Sequence, residues 1–261
     1  MMRLLTEMTW SDADRVAADS ILLVPVGSTE QHGPHLPLGS DTIITLALCE
    51  ALAQARPDVV VLAPPIHFSS SGEHSGFAGT ISIGQGALEI MLVELARSAD
   101  AFAGVAFVSA HGGNAEVLAR VQKSLRSEGR CALAWWPSPP KIHHQELGHS
   151  PNSPQSPPFA ESDLHAGRAE TSMVLALAPQ LVREEDFAKG YTERSADLLA
   201  RLKVGGVASV SANGVLGDPF GANSHEGTAL LATMTKSLST QFDSFLLQVG
   251  LASKSTKDGT P

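Results

Sequence analysis

Four short apolar stretches, at 21–26, 59–62, 105–109 and 131–136, recur between longer segments of helical periodicity at 41–54, 87–101 and 115–126. Each stretch is too short for a stable helix and is bounded by turn residues, so each reads as a buried strand. Strands that alternate with helices pair in parallel and are covered on both faces. A three-layer αβα fold, class α/β, around a mostly parallel sheet is expected. Two further helical patterns follow, at 169–178 and 226–249. With 43% hydrophobic and 17% charged residues in 261, the chain has ample core for a single domain over 1–250. The composition breaks near 137, where seven of the sixteen prolines fall between Pro137 and Pro158. A loop insertion over 137–162 is expected there, gating the mouth of any site beside it, and 251–261 reads as a disordered tail.

Polar chemistry clusters where the strands end. Behind the first strand come Glu30-Gln31-His32-Gly33-Pro34-His35 and then Asp41-Thr42. The glycines and prolines around them stop regular structure, which puts these side chains on a loop at a strand's carboxyl end, the place where open α/β sheets bind ligands. The third strand runs into His111-Gly112-Gly113-Asn114. A third cluster, Asp163 to Ser172, sets His165 just before a helix and Glu170 in its first turn. Taken singly, each has a plain reading: Asp41 as a helix cap, Glu170 as a first-turn acid, His111 as a core histidine, Glu30 as a solvated loop carboxylate. Together, on one edge of one sheet, Glu30, His32, Asp41, His111 and Glu170 suit two divalent ions of the zinc, manganese or iron type, with one carboxylate bridging. Glu73 and His74 read as a substrate-facing pair, His35 as a loop hydrogen-bonder, and Trp135 or Trp136 as lining the pocket. Neither Cys49 nor Cys131 is placed as a nucleophile, and Ser28 has no evident triad. Both cysteines read as small core residues of a reducing compartment.

The formal net charge of −9, with 18 Lys and Arg and no basic run, argues against nucleic acid. No window approaches the roughly 18 apolar residues that span a bilayer, so a cytoplasmic protein is expected.

These motifs resemble the creatininase family of binuclear metal amidohydrolases. The resemblance rests on Gly27-Ser28-Thr29-Glu30-Gln31-His32-Gly33-Pro34-His35 with Asp41-Thr42, on Gly72-Glu73-His74 with Phe77 to Ser82, on His111-Gly112-Gly113-Asn114, and on His165-Ala166-Gly167 with Glu170-Thr171-Ser172. It implies that Glu30, Asp41 and His111 hold one metal, that His32, Asp41 and a further carboxylate hold the other, and that His165 transfers protons. Creatinine-hydrolysing members carry a liganding Glu two residues after the third-loop histidine, where this chain has Gly113; Glu170 is taken as the substitute. Gly205-Gly206-Val207-Ala208 and Gly214 to Pro219 make the chain most similar to members acting on a modified ribosomal precursor peptide. That implies hydrolytic release of a carboxy-terminal Val-Tyr dipeptide. Two readings stay open beside it: a creatinine- or formamide-type small-amide hydrolase, and a metal-binding scaffold without catalysis. A homo-oligomer, a hexamer or similar, is also expected, with apolar faces at 229–234 and 242–251 left over for it.

Overall fold

The computed structural model describes residues 1–137, 163–193 and 198–251. The expected Pro-rich gate at 137–162, apart from Pro137 itself, and the tail beyond 251 lie outside the described residues. Five parallel strands form one sheet: β1 (Arg3–Leu4), β2 (Ile21–Pro25), β3 (Val60–Leu62), β4 (Gly104–Val108) and β5 (Ala132–Trp135), in the order β1-β3-β2-β4-β5. Its registers are regular, with Ile21 opposite Gly104 and Leu23 opposite Leu62.

Successive strand residues serve opposite faces, because side chains alternate along an extended chain. Ile21, Leu23, Ala106 and Val108 pack with α2 (Ser40–Ala55), α5 (Arg168–Leu177) and α7 (Ser224–Gln248), the short α6 (Leu198–Gly205) coming between the last two in sequence. Leu22, Val24, Val105 and Phe107 pack with α3 (Gly84–Ser98) and α4 (Ala115–Ser127). The result is the three-layer arrangement anticipated from the β-α-β order. The short β1 and the first helix, α1 (Trp10–Ala17), were not anticipated. Two residues carry no periodicity, whereas α1 does announce itself by the capping box between Thr9 and Asp12.

The topology also creates the crevice. From β2 the chain crosses through α2 on one face to β3, and from β4 it crosses through α4 on the other face to β5. Because the connections from these two neighbouring strands leave toward opposite faces, the loops at the carboxyl ends of β2 and β4 are separated there, where open α/β sheets bind ligands. The last helix, α7, runs across the α2 side, and Leu230, Met234, Leu238, Phe242 and Phe245 are all buried there. Most of the apolar residues expected to be spare at 229–234 and 242–251 are thus used inside the subunit. Cys49 is buried as expected, but Cys131 is exposed. It precedes β5, where its carbonyl accepts the Val105 N–H at 3.0 Å while its side chain turns outward. Among the described residues, no helix is long and apolar enough to cross a membrane.

One residue ties three strand exits together. Asn114, fully buried, accepts from the Ser70 N–H at 3.2 Å and donates to Gly27 O at 3.3 Å and Ser109 Oγ at 3.1 Å. Asn114→Ala would orphan a buried donor and a buried acceptor, each costing about 1–3 kcal/mol. We expect a loss of about 2–4 kcal/mol in chemical unfolding. A loss below about 0.5 kcal/mol would mean that the loops are held by something else.

Candidate metal centre

The β2 exit is pinned before its polar residues begin, with Val26 N–H donating to Val108 O at 2.7 Å and Gly27 N–H to Ile66 O at 2.9 Å. Ser28 Oγ then donates to Asp41 Oδ2 at 2.6 Å, and Thr42 Oγ1 donates to Ser28 O at 3.0 Å, which docks the first turn of α2 on the loop. Asp41 lies inside that turn and Gly39 is the cap residue, so the carboxylate is free for another task. Glu30 and His32 are 0% exposed, Asp41 2%, His111 4% and His165 7%.

These buried groups converge. His111 sits between two carboxylates, its Nε2 3.2 Å from Glu30 Oε2 and its Nδ1 3.2 Å from Asp41 Oδ2. His32 Nε2 is 3.7 Å from Asp41 Oδ1 and 3.9 Å from Glu170 Oε2. His165 Nδ1 is 3.8 Å from the same Glu170 oxygen and 3.9 Å from Glu30 Oε1. Within reach of a single ion lie Glu30, Asp41 and His111 as one group, and His32, His165 and Glu170 as another. A third group that distance allows is Glu30, His74 and His165. Asp41 directs one oxygen toward His111 and the other toward His32, the placement a bridging carboxylate needs.

Hydrogen bonding decides which nitrogen of each ring faces inward. His32 Nδ1 lies 3.1 Å from Glu30 O, His111 Nε2 2.8 Å from Ser70 O, and His165 Nε2 2.7 Å from Gln31 O. A carbonyl only accepts, so each of these nitrogens carries a proton. The opposite nitrogens, His32 Nε2, His111 Nδ1 and His165 Nδ1, keep their lone pairs toward the carboxylates. Both Glu30 oxygens and His32 Nε2 are buried without a hydrogen-bond partner. Where His32 Nε2 and His111 Nδ1 meet the Asp41 oxygens, acceptor faces acceptor in a buried pocket, which calls for a cation, and mixed imidazole and carboxylate ligands fit zinc, manganese or iron. Backbone carbonyls behind the rings are the outer support that ligating histidines usually have.

Without a cation, protons take its place. Burial pushes the Glu30 carboxyl up to about 8, His111 opposing, and burial likewise raises Glu170 to about 7. For His32 burial disfavours the charge, but Asp41, Glu170 and Glu30 outweigh it and lift the ring to about 10. His111 is also held well above its usual value against burial, by Glu30 and Asp41. Burial and the neighbouring rings keep His165 well below the usual range and His74 at about 3.

The remaining expected residues are spread more widely. Glu73, on the turn Gly72–His74, is 32% exposed at its side chain, with Oε1 3.9 Å from His111 Nε2. Position 113 has no room for the Glu of creatinine-hydrolysing members, because a Cβ there would overlap Glu73 Oε1 and His111 Nε2. His74 is buried against Gln31. His35 is indeed hydrogen-bonded in the loop, to Thr171 Oγ1 at 2.9 Å. Glu170 also does a first-turn acid's work, accepting the Ala166 N–H at 2.6 Å. Trp135 is 1% exposed within the α2–α5–α7 core, and Trp136 packs on the α3–α4 side, since neighbours on a strand point apart. Gln31, Ser70 and Asn114 were given no role by sequence reading. The signal for Gln31 was there, a neutral amide fixed between two candidate ligands.

The family model Creatininase, described as creatinine amidohydrolase, matches residues 6–242. The mycofactocin precursor peptide peptidase of Mycolicibacterium smegmatis is 44% identical over 220 residues, covering 82% of this chain and 81% of that protein. The Mycobacterium tuberculosis protein of the same name is 42% identical over 222 residues, covering 82% and 80%. The creatinine amidohydrolase of Pseudomonas putida is 29% identical over 67% of this chain and 72% of its own. Among solved structures, the manganese form of creatininase superposes with a TM-score of 0.73 at 21% identity, covering 94% of this chain and 98% of that one.

The protonation pattern gives a test of the centre that needs no substrate. In the metal-free protein Glu30, His32 and His111 hold protons that the unfolded chain has already released above about pH 7. A folded state that binds more protons loses stability as pH rises, here until His32 titrates at about 10. His74 and His165, shifted down, are neutral in both states above about pH 7.5 and add no slope. The urea midpoint of chelator-treated protein is therefore expected to fall from about pH 7 to about pH 9, and divalent ions to restore it. A midpoint that rises over this range would show that the cluster does not hold those protons.

Proposed function

The chain belongs to the creatininase family, and we propose on that footing that it is a metal-dependent peptidase acting on the mycofactocin precursor peptide. It would release the carboxy-terminal Val-Tyr dipeptide from a ribosomal peptide already decarboxylated and cross-linked by a radical enzyme. As a family member the chain is a hydrolase of amide bonds. The observation that carries the peptide reading is its 44% identity, over 82% of its length, to a peptidase of that name, and it is supported by buried side-chain groups that could hold an ion.

Two divalent ions, of zinc, manganese or iron, are proposed per chain. Glu30, Asp41 and His111 would hold one; His32, Glu170 and the second oxygen of Asp41 the other. Bound divalent ions supply Lewis-acid polarisation of an amide carbonyl and a water acidified toward a pKa of about 7. The chain's own residues do the rest. His165 keeps its Nε2 proton on Gln31 O, so Nδ1 takes up the proton of the attacking water and returns it to the leaving nitrogen of the scissile amide. Burial of Glu30 and Asp41 excludes the bulk water that would compete for their oxygens. Glu73, about a third exposed beside His111, would meet the peptide and not an ion. A homo-oligomer is proposed as well. Leu38, Phe68, Ile81 and Ile83, on loops flanking the β2 and β3 exits, are exposed apolar side chains that a neighbouring subunit would cover.

Purified protein given the modified precursor should release Val-Tyr, detected by mass spectrometry, with activity abolished by a chelator and restored by one of the three metals. Hydrolysis of creatinine or a formamide without peptide cleavage would select the small-amide reading. Stoichiometric metal with neither activity would leave the scaffold reading. His165→Ala should retain both ions by elemental analysis and lose turnover about 10²- to 10⁴-fold. Loss of one ion in that variant would make His165 a ligand instead, as its distance to His32 and Glu170 allows.

A further inference from the structure

Gln31 stands in sequence between two candidate ligands, yet its buried side chain is committed elsewhere. Its Oε1 accepts the Gly33 N–H at 2.8 Å. Its Nε2 lies 3.0 Å from Gly214 O, 2.8 Å from His74 Nδ1 and 3.1 Å from His165 Nε2. The two backbone partners are of opposite kind, so they fix which end of the amide is oxygen. Turned over, the amide would set oxygen against carbonyl at Gly214 and NH₂ against N–H at Gly33. The His165 Nε2 proton is already given to Gln31 O at 2.7 Å, which makes that nitrogen a donor. The two amide hydrogens are left with two acceptors, Gly214 O and His74 Nδ1. A neutral imidazole that accepts at Nδ1 carries its proton on Nε2. His74 Nε2 is the atom 3.4 Å from Glu30 Oε1.

We propose that Gln31 is a positioning residue: it holds His74 as the Nε2–H tautomer, so that His74 presents a proton, not a lone pair, to Glu30. The consequence bears on where ions go. Distance alone admits Glu30, His74 and His165 as a third ion group. A protonated Nε2 removes His74 from that group and leaves Glu30 available to Asp41 and His111. The His74 ring lies 4.4 Å from the His165 ring, so holding one also seats the other. Gly214 belongs to the device. Its φ is +80°, and a Cβ there would overlap Gln31 Oε1, so only glycine lets this turn approach the amide. The proposal rests on reading the cluster as a hydrolytic metal centre, but its first readout needs no substrate.

Gln31→Glu keeps the shape and the acceptor for Gly33 while removing both hydrogens. Zinc-loaded full-length protein with ¹⁵N-labelled histidine reports ring tautomers through long-range ¹H–¹⁵N correlations, with His74 assigned by its loss in His74→Gln. In the parent protein His74 should show a protonated Nε2 and an unprotonated Nδ1. In Gln31→Glu, Nδ1 should become protonated, with both zinc ions retained by elemental analysis. On the precursor peptide kcat should fall about 10- to 100-fold with KM little changed. Should Gln31→Glu fold poorly, Gly214→Ala displaces the same amide from outside and should give the same nitrogen shifts. Parent-like His74 nitrogens in both variants would overturn the proposal. Loss of zinc in step with loss of thermal stability would overturn it too, by making Gln31 a structural residue only. A parent protein that leaves the peptide intact defeats the proposed function, while the nitrogen shifts still decide the role of Gln31.

Discussion

Lone pairs facing lone pairs are the constraint on which the rest of this molecule depends. Both oxygens of Glu30, the inner nitrogen of His32 and the carboxylate of Asp41 are gathered in a space that water does not reach. A buried, unpaired charge costs several kcal/mol even after relaxation, so no chain collapses around such a group without a compensating cation. A proton on each ring can fill the gaps, at the expense of a pH-dependent fold. A divalent ion fills them with more charge and stronger geometry. The surrounding hydrogen bonds show which of the two the pocket is shaped for. Three rings give a proton to backbone carbonyls, Glu30 O, Ser70 O and Gln31 O, and each thereby turns the lone pair of its other nitrogen toward a carboxylate.

The parallel sheet is what makes this gathering possible at modest cost. Strands buried on both faces have no polar side chains to place, so every polar group in the β2 and β4 segments is deferred to the loop beyond the strand end. Because α2 and α4 leave toward opposite faces, those two loops are not filled by a crossing helix. Asn114 then closes the frame by bonding the exits of β2 and β4 to the segment after β3. The α5 segment arrives from later in the chain, its His165 backbone paired to Leu216 in both directions at 3.2 and 2.9 Å. Residues 134 positions apart in sequence, Gln31 and His165, are thus brought into hydrogen-bond contact by two ties that involve no metal.

How much of this was legible beforehand follows from the range of the interaction that sets each feature. β2, β4 and β5 are runs of apolar residues whose state is local, and they were readable. β1 is two residues long and exists only because β3 offers it an edge, so no local pattern could reveal it. Glu30, His32, Asp41, His111 and Glu170 were nameable because each stands next to a strand end or helix start. What spacing could not say was orientation. It could not place Asp41 within the first turn of α2 rather than at its cap, nor assign the two neighbouring tryptophans to opposite cores. Cys131 was misread because a strand's first residue has the composition of the core and the exposure of a loop. Gln31 escaped because its partners, His74, His165 and Gly214, are all remote in sequence.

Substrate choice is then a matter for the rim, not the centre. Ions held by these inward-facing groups would polarise any amide, and nothing in Glu30, Asp41 or His111 distinguishes a peptide from a small cyclic amide. What differs is the wall around them. At position 113 the chain has no side chain, and the Glu73 carboxylate fills the space from another loop. That loop is in turn held by the 205–209 segment, since Gly206, at φ +67°, leaves room for Glu73 O where any Cβ would intrude. The Glu73 carboxylate thus reaches His111 from a partly exposed turn and not from the loop that carries His111. The glycines at 113, 206 and 214 are therefore parts of one arrangement. Each lacks the Cβ that would collide with a remote polar group, Glu73 or Gln31, so that these groups can come close to the histidines.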